Sequence, residues 1–294
     1  MNTDYICERK LQQCNPELHR LFKDSVICLQ QLLIKYKNIF PMFTDHTSLH
    51  SLEVIAFCNT LIGNENLAKM NSHEIYILLM SAYLHDTGMG ISMADYAEFS
   101  KKIDFGDYFN HHSKDNIPHI IRAFHNEFSG EYIRKYASIF DIPSEEHIFS
   151  IIQVSRGHRK TDLYDEKEYP TNFKVPSGEN ICLPYLAALI RLADELDVAS
   201  DRNLQFIYDI NNIDGAKDIM EFKKHNAIRA ISTNEKTFTM EVDTSDEIIF
   251  KEILKLVKKL NQTLNECRDV INNKTPFKIT QEEIIIIPIK GNGM

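Results

Sequence analysis

The chain has 294 residues, of which 43% are hydrophobic and 26% are charged, enough to bury the core of one large domain with a smaller appendage. Its 42 acidic side chains outnumber its 33 basic ones and give a formal net charge of -9. This balance disfavours general binding to nucleic acid polymers or anionic membranes, but it allows a local basic pocket for a small phosphate ester.

The N-terminal sequence lacks the basic and then apolar segments of a signal peptide, and no apolar run approaches the length of a membrane span. We therefore expect a cytoplasmic protein. The six cysteines are scattered without a CxxC pair, which favours reduced and mostly buried thiols.

The first part of the chain carries a helical pattern of apolar residues at three- and four-residue steps. It predicts helices over 15–41, 46–63 and 72–88, with capping residues, prolines and glycines at their ends. The third segment is apolar nearly all round. It is therefore predicted to be a central buried helix with the pair His85 and Asp86 at its C-terminal end.

Further helices are predicted over 92–102, 117–140, 144–156 and 183–198, each preceded or opened by a start signal such as serine or proline. The polar stretch 159–184 is too long for an ordinary connector. We interpret this stretch as a flap beside a functional site.

The character of the sequence changes after residue 204. Two short strands are predicted within 227–242, a long amphipathic helix over 246–272, and a strand over 282–289. The sequence therefore predicts two units: a helical domain over 1–204 and a small α/β appendage over 205–294.

Several of the twelve histidines occur beside carboxylates in helical segments. His50 lies in an amphipathic helix, His85 and Asp86 end the buried helix, and Asp194 lies among apolar residues. A charged aspartate in such a helix is costly unless a metal or another cation neutralises it. The adjacent histidines at 111–112 diverge in a polar loop, so we expect them at the surface.

Five segments together resemble the HD phosphohydrolase superfamily. HSLEVIAF, LMSAYLHDTGMG and LAALIRLADELD resemble its signature of a His, an adjacent His-Asp pair and a distant Asp. RAFHNEFSGEYI and RGHRKTDL resemble the middle histidine motifs of members with an expanded ligand set, such as the HD domain of exopolyphosphatase-like proteins. The resemblance covers about 40–204 and implies a mainly α fold, an HD-domain helical bundle, to which the α/β appendage is added.

The resemblance also implies a metal-ligand set. A first divalent ion is expected on His50, His85, Asp86 and Asp194, and Asp86 is expected to bridge to a second ion on His125 and His158. Imidazole and carboxylate ligands suit Mn, Fe, Co, Ni or Zn, and Mg less well. Two ions about 4 Å apart could bridge a hydroxide that attacks phosphorus.

The implied activity is hydrolysis of a phosphoester or phosphoanhydride bond in a nucleotide or similar small phosphate compound. Asp86, His125 and His158 are the predicted catalytic residues. If only one ion binds, His125 or His158 could instead serve as an acid or a phosphate contact.

Substrate contacts are predicted from residues that flank the ligands, which are Asp45, His46, Arg122, Arg159 and Lys160. Asp45 or His46 could instead orient a ligand. Basic side chains there could bind phosphate, Arg through its fork and Lys as a point charge. An alternative for Arg122 is a pair with a surface carboxylate.

Two further residues have open alternatives. Arg191 lies four residues before Glu195, which predicts an ordinary helical ion pair. Asp197 either shares the helix face of Asp194 or pairs with Arg202 at the helix end.

Other enzyme signatures are absent from the sequence, including the GxxxxGK loop, HExxH, GxSxG, the zinc deaminase motif and the glycine-tyrosine-proline motif of cyclic-dinucleotide hydrolases. Two rival interpretations remain. One is a sensor that binds metal and nucleotide and signals through the appendage without turnover. The other is a structural helical module whose histidines merely pack. The expected partner is the small phosphate compound, and the appendage is expected either to cover the site or to mediate self-association.

Overall fold

The computed structural model describes residues 5–33, 48–159, 161–198 and 216–289. The described chain is mainly α-helical, with a helical bundle followed by a small sheet near the C-terminus. The predicted fold class is therefore confirmed. No helix in these ranges has both the length and the apolar character that crossing a membrane requires.

The bundle begins with two helices, α1 (Ile6–Cys14) and α2 (Pro16–Leu33). The side-chain oxygen of Asn15 accepts a hydrogen bond from the backbone N–H of Leu18 at 3.1 Å, as expected for a residue that caps α2. The predicted start of this helix is confirmed, and its predicted course beyond residue 33 lies outside the described residues.

Within α3 (Ser48–Lys69) a first helical segment ends at Gly63, as predicted, and a second segment follows it. Gly63 adopts a φ of 59°, which kinks the helix, and the chain then resumes a helical path. The second segment is held by the side chain of Asn66, which donates to the carbonyl of Lys278 at 2.6 Å and accepts from its N–H at 3.1 Å. This contact is more than 200 residues away in sequence, so the local glycine signal could not reveal it.

Helix α4 (Ser72–Leu84) is the buried central helix that the sequence predicts. It begins with a capping box in which the backbone N–H of Glu74 donates to Asn71 and the N–H of Asn71 donates to Glu74. It packs against α1, α2 and α3 and against helices later in the chain. A short 3-10 turn (Thr87–Gly90) follows its C-terminal end.

The next helices are α5 (Met93–Phe99), α6 (Tyr108–His111), α7 (Ile117–Tyr136) and α8 (Glu145–Arg156). Side chains of Ser92, Asn116 and Ser144 cap α5, α7 and α8. Three of these helices were predicted, whereas α6 was not. The last predicted turn of α7 is a separate 3-10 turn (Ala137–Phe140).

The polar stretch between α8 and the next helix is folded. It contains an antiparallel pair of short strands, β1 (Phe173–Lys174) and β2 (Asn180–Ile181), and the fully buried side chain of Tyr169. Helix α9 (Leu183–Leu196) follows and is buried along most of its length.

The C-terminal region contains α10 (Ala216–Ala227), β3 (Ile228–Thr233), β4 (Thr237–Val242), α11 (Glu247–Lys274) and β5 (Glu283–Pro288). Strand β4 is central, antiparallel to β3 and parallel to β5. All but α10 were predicted. Helix α11 packs against α9, and the rings of Tyr185 and Phe277 stack at 3.8 Å between centroids. The sheet region is thus attached to the helix that carries Asp194.

The cysteines behave as the sequence predicts. All six are free, and four of them are buried.

Candidate metal centre

Six side chains predicted as ligands meet at one end of the bundle. They come from α3, the C-terminal end of α4, α7, the turn after α8, and α9, and they are His50, His85, Asp86, His125, His158 and Asp194. They form two groups that share Asp86, and in each group the potential ligand atoms lie within 4.8 Å of one another.

The first group gathers around the Nε2 atoms of His50 and His85, which lie 3.1 Å apart. His50 Nε2 is 3.3 Å from Asp194 Oδ1 and 3.5 Å from Asp86 Oδ2. His85 Nε2 is 3.4 Å from Asp86 Oδ2 and 3.7 Å from Asp194 Oδ1. Two imidazoles and two carboxylates therefore face a common point.

The second group is smaller and uses the other oxygen of Asp86. The Nε2 atoms of His125 and His158 lie 2.8 Å apart. Asp86 Oδ1 is 3.3 Å from His125 Nε2 and 3.6 Å from His158 Nε2. Because Oδ2 faces the first group and Oδ1 the second, the carboxylate of Asp86 spans both.

Hydrogen bonds fix the tautomer of three of these histidines. The Nδ1 atoms of His85, His125 and His158 each lie 2.6 to 3.1 Å from the backbone carbonyl three residues earlier. A carbonyl oxygen can only accept, so each Nδ1 must carry the proton and donate. The Nε2 atom of each neutral ring then presents a lone pair to the centre, as a metal ligand requires.

His50 is oriented by a residue whose role sequence reasoning missed. Its Nδ1 lies 2.6 Å from Oδ2 of Asp197, and both side chains are buried. A carboxylate that accepts from the outer nitrogen of a ligand histidine is the usual second-layer partner in metal sites. The three-residue spacing between Asp194 and Asp197 was the sequence signal for this role. Arg202, the alternative partner predicted for Asp197, lies outside the described residues.

The donor set fits a cation. In the neutral rings, where each outer nitrogen holds the proton, the facing Nε2 atoms at 3.1 and 2.8 Å hold no hydrogen between them, so their lone pairs repel each other unless a metal ion or a proton lies between them. Two carboxylates lie among them in a largely buried site, where uncompensated charge is costly. A divalent ion between these atoms relieves both penalties, and nitrogen and oxygen ligands without thiolate suit a borderline metal.

The protonation equilibria show the same demand for positive charge. Burial by itself lowers the pKa of His85, but the charges of Asp86 and Asp194 outweigh it and raise that pKa to about 9. Burial opposes ionisation of Asp194, yet hydrogen bonds and charge from His50 and His85 hold its pKa well below the usual range. Burial and the neighbouring imidazoles keep the pKa of His158 well below its ordinary value.

A close approach at Gly88 joins the two groups. Its N–H donates to Ser129 Oγ at 2.7 Å, and that hydroxyl donates to the carbonyl of His85 at 2.6 Å. A Cβ on Gly88 would overlap the carbonyl oxygen of His125 and lie 2.5 Å from the backbone nitrogen of Ser129. Only glycine therefore lets the turn after α4 lie directly on α7 beside His125.

A second glycine brings α8 against α9. A Cβ on Gly157 would lie 2.5 Å from the Cβ of Ala187. Because Gly157 precedes His158 and Ala187 lies on the helix of Asp194, this packing sets the separation between the two groups.

The predicted ion pair between Arg191 and Glu195 is wrong. Arg191 instead donates to the carbonyl of Gly157 at 2.7 Å and to the carbonyl of Thr161 at 2.8 Å. Glu195 accepts from Lys259 on α11 at 2.8 Å. These tertiary partners outcompete the local pair, and Arg191 thereby holds the backbone on both sides of His158.

The predicted substrate residues divide into two sets. Asp45, His46 and Lys160 lie outside the described residues. Arg122 and Arg159 are exposed and lie next to the ligand motifs, with Arg159 directly after His158. Their substrate roles stay predictions. The histidines at 111–112 are exposed, as predicted, and belong to neither ligand group.

A family model described as HD-CE matches residues 40–267. The chain belongs to the HD-CE family. This is an HD-like family, so the coarse resemblance is supported, and the matched range includes all six predicted ligands and continues into α11. No match was found among curated proteins or among solved structures.

Proposed function

We propose that this HD-CE chain is a metal-dependent phosphohydrolase. It would cleave a phosphoester or phosphoanhydride bond of a nucleotide or similar small phosphate compound. The observation that carries the proposal is the pair of ligand groups that share the carboxylate of Asp86. Such paired sites are used for hydrolysis at phosphorus because the attacking and leaving oxygens both need compensation of charge.

The residues that would hold the metal are His50, His85, Asp86, Asp194, His125 and His158. A divalent ion bound there supplies Lewis acidity, which activates water and neutralises charge on a phosphoryl group. One or two ions are compatible with the proposal, and Mn, Fe, Co, Ni, Zn and Mg are the candidates.

The protein side chains keep this centre preorganised. Backbone carbonyls and Asp197 hold the imidazoles with Nε2 inward, so little reorganisation is needed when the charge of the substrate changes. The side chain of Asp194 is 20% exposed, whereas those of the other five ligands are at most 9% exposed. The first ligand group is therefore most open to solvent beside Asp194.

Three further features belong to the proposal. We propose that the domain is related to the HD domains of exopolyphosphatase-like proteins, which its LADELD segment resembles. Arg122 and Arg159 would contact phosphate oxygens through charged hydrogen bonds. The enzyme would act in the cytoplasm on a small compound, without a nucleic acid polymer or a membrane as partner.

The test is phosphate release from a panel of nucleotides and small phosphate esters in the presence of Mn, Co, Ni or Mg. The proposal is supported if the wild-type chain releases phosphate and the Asp86→Asn variant does not. Metal-dependent tight binding of a nucleotide without release would favour the sensor instead. A chain that retains far less than one ion and releases no phosphate would favour a structural module.

A further inference from the structure

A cleft of about 360 Å³ is built from residues that flank the second ligand group. Phe124 and Asn126 flank His125 in sequence, and Arg159 follows His158. Other lining residues are Asp104, Glu127 and Arg156. We propose that this cleft binds the nucleoside part of a nucleoside phosphate whose phosphate faces the metal centre. The inference rests on the proposed function and narrows its substrate class.

Two arginines line the cleft, and the side chain of one of them has no ion-pair or hydrogen-bond partner among the described residues. Arg156 is held by Glu127, with Nε to Oε2 at 2.9 Å and a second nitrogen to Oε1 at 3.1 Å. Arg159 is exposed, and within the described ranges no carboxylate or hydrogen-bond acceptor pairs with its side chain. Its position directly after His158 makes it the side chain that binds the phosphate end of the ligand.

Hydrogen-bond acceptors occur elsewhere in the cleft. The Asn126 amide nitrogen donates to Glu127 at 2.9 Å, which leaves the amide oxygen as an acceptor. One oxygen of the exposed Asp104 accepts from the N–H of Gly106, and its second oxygen can accept another hydrogen bond. Ribose hydroxyls and exocyclic amino groups are the donors that such acceptors suit.

The lining has no excess of positive charge, which disfavours a chain of phosphates. Asp104 adds a negative charge to the lining, and the charge of Glu127 is already balanced by Arg156. A ligand with one phosphate and a neutral remainder avoids repulsion that a polyphosphate would experience.

An aromatic surface completes the cleft. The Phe124 ring is fixed by near-perpendicular contacts with Phe105 at 4.9 Å and Tyr108 at 5.0 Å between centroids. Helix α7 is locally non-helical at Phe124, with φ of -119° and ψ of 20°, and the ring remains partly exposed in the cleft. A rigid aromatic ring of this kind favours stacking of a purine or pyrimidine.

The proposal is tested by equilibrium binding of AMP, ribose 5-phosphate and tripolyphosphate to the full-length chain in excess EDTA. Metal-free conditions separate the cleft from the metal centre. We expect AMP to bind most tightly, and we expect Phe124→Leu to weaken AMP roughly ten-fold while ribose 5-phosphate changes little. Arg159→Gln should weaken both AMP and ribose 5-phosphate.

Matched controls are available near the cleft. Phe109→Leu changes an aromatic residue of the same cluster that does not line the cleft, and Arg134→Gln changes an exposed arginine on the far part of α7. Neither should alter AMP affinity. Because Arg159 is exposed, its variant tests the proposal even if Phe124→Leu folds poorly.

The proposal is overturned if tripolyphosphate binds as tightly as AMP, if AMP does not bind at millimolar concentration, or if both cleft variants bind AMP like the wild type. The phosphate-release assay separates this result from the proposed function. If AMP binding depends on the cleft residues but no compound releases phosphate, the proposed hydrolase function is refuted and the assignment of the cleft stands. Equal release from phosphate esters with and without a nucleoside would refute the cleft assignment and keep the hydrolase.

Discussion

Two histidine clusters lie at opposite ends of the buried helix α4, and they differ in what surrounds their imidazoles. At the C-terminal end, His85 belongs to a group that contains two carboxylates. At the N-terminal end, His73 Nδ1 lies 2.9 Å from His147 Nε2, and His147 Nδ1 lies 2.8 Å from Ser144 Oγ. A single proton between the facing nitrogens satisfies this second cluster, and within the described residues no carboxylate completes a metal-ligand group with it.

The difference appears in opposite pKa shifts. Burial is the main cause, and the charge of the nearby His73 a smaller one, that lowers the pKa of His147 to about 4. Burial acts in the same direction on His85, but two carboxylates reverse the result and raise its pKa to about 9. Proximity of histidines is therefore not enough for a metal site; inward lone pairs and anionic partners are what demand a cation.

The largest effect should come from removing the shared ligand. Asp86→Asn takes charge from both groups, so we expect loss of bound metal and of phosphate release. His85→Gln should have a similar effect on the first group. Metal content by mass spectrometry and released phosphate are the measurements.

The other end of α4 supplies the control. His73→Gln changes a histidine of the same helix and should leave metal content near the wild-type value. Equal metal loss in His73→Gln and His85→Gln would break the distinction between the two clusters.

Gly88→Ala tests the packing that places the first group beside the second. The added Cβ has no room against α7, and we expect a loss of about 3 kcal/mol in the free energy of unfolding together with weaker metal binding. Gly106→Ala is the matched control, since a Cβ there meets nothing within 4 Å and only its positive φ is strained, by about 1 kcal/mol. Similar urea midpoints for both variants would contradict this account.

Asp197→Asn tests the partner of His50. The amide keeps the shape but loses the charge that accepts from Nδ1, so metal affinity should fall by about 10- to 100-fold. Glu195→Gln, which alters a carboxylate on the same helix that pairs with Lys259, should leave it unchanged. Calorimetric titration with Mn²⁺ distinguishes the two, and an unaltered affinity in Asp197→Asn would remove this residue from the site.

Metal affinity should decrease as the pH falls. Below about 9 the metal-free His85 holds a proton that an incoming ion must displace. We therefore expect the affinity to fall by about ten-fold per pH unit between pH 8.5 and 7.5, with proton release seen in buffers of different ionisation enthalpy. A pH-independent affinity would contradict the raised pKa.

The smallest effect concerns the other cluster. Because the folded pKa of His147 lies below its ordinary value, the unfolded chain binds the extra proton first, and stability falls as the pH drops from 6.5 towards 4. We expect a loss of about 1 kcal/mol by pH 5.5. His147→Gln should show a shallower acid dependence of its thermal midpoint, and an identical dependence would refute the assignment.

Sequence patterns predicted the structural features that depend on residues close together in the chain. The continuous apolar run identified α4 as buried, and the resemblance of five motifs to the HD superfamily supplied six ligand candidates that the structure brings together. The prediction at Arg191 failed because distant residues decide it: the carbonyls of Gly157 and Thr161 accept from Arg191, and Lys259 binds Glu195. No pattern in sequence reveals such partners before the chain is folded.

The orientation of the histidine side chains could not be predicted from the sequence either. The proximity of His73 and His147 follows from the packing of α4 against α8. Likewise, the carbonyl acceptors that turn the ligand histidines inward depend on the local backbone of each motif.

The central claim is that these side chains bind a cation through the inward Nε2 atoms and the carboxylates. Anomalous diffraction at the zinc edge from crystals grown with Zn²⁺ tests it most directly. The account predicts a peak about 2.0 to 2.1 Å from Nε2 of both His50 and His85 and near the Asp194 carboxylate. An anomalous map with zinc at His73 and His147, or with none at the six side chains, would contradict it.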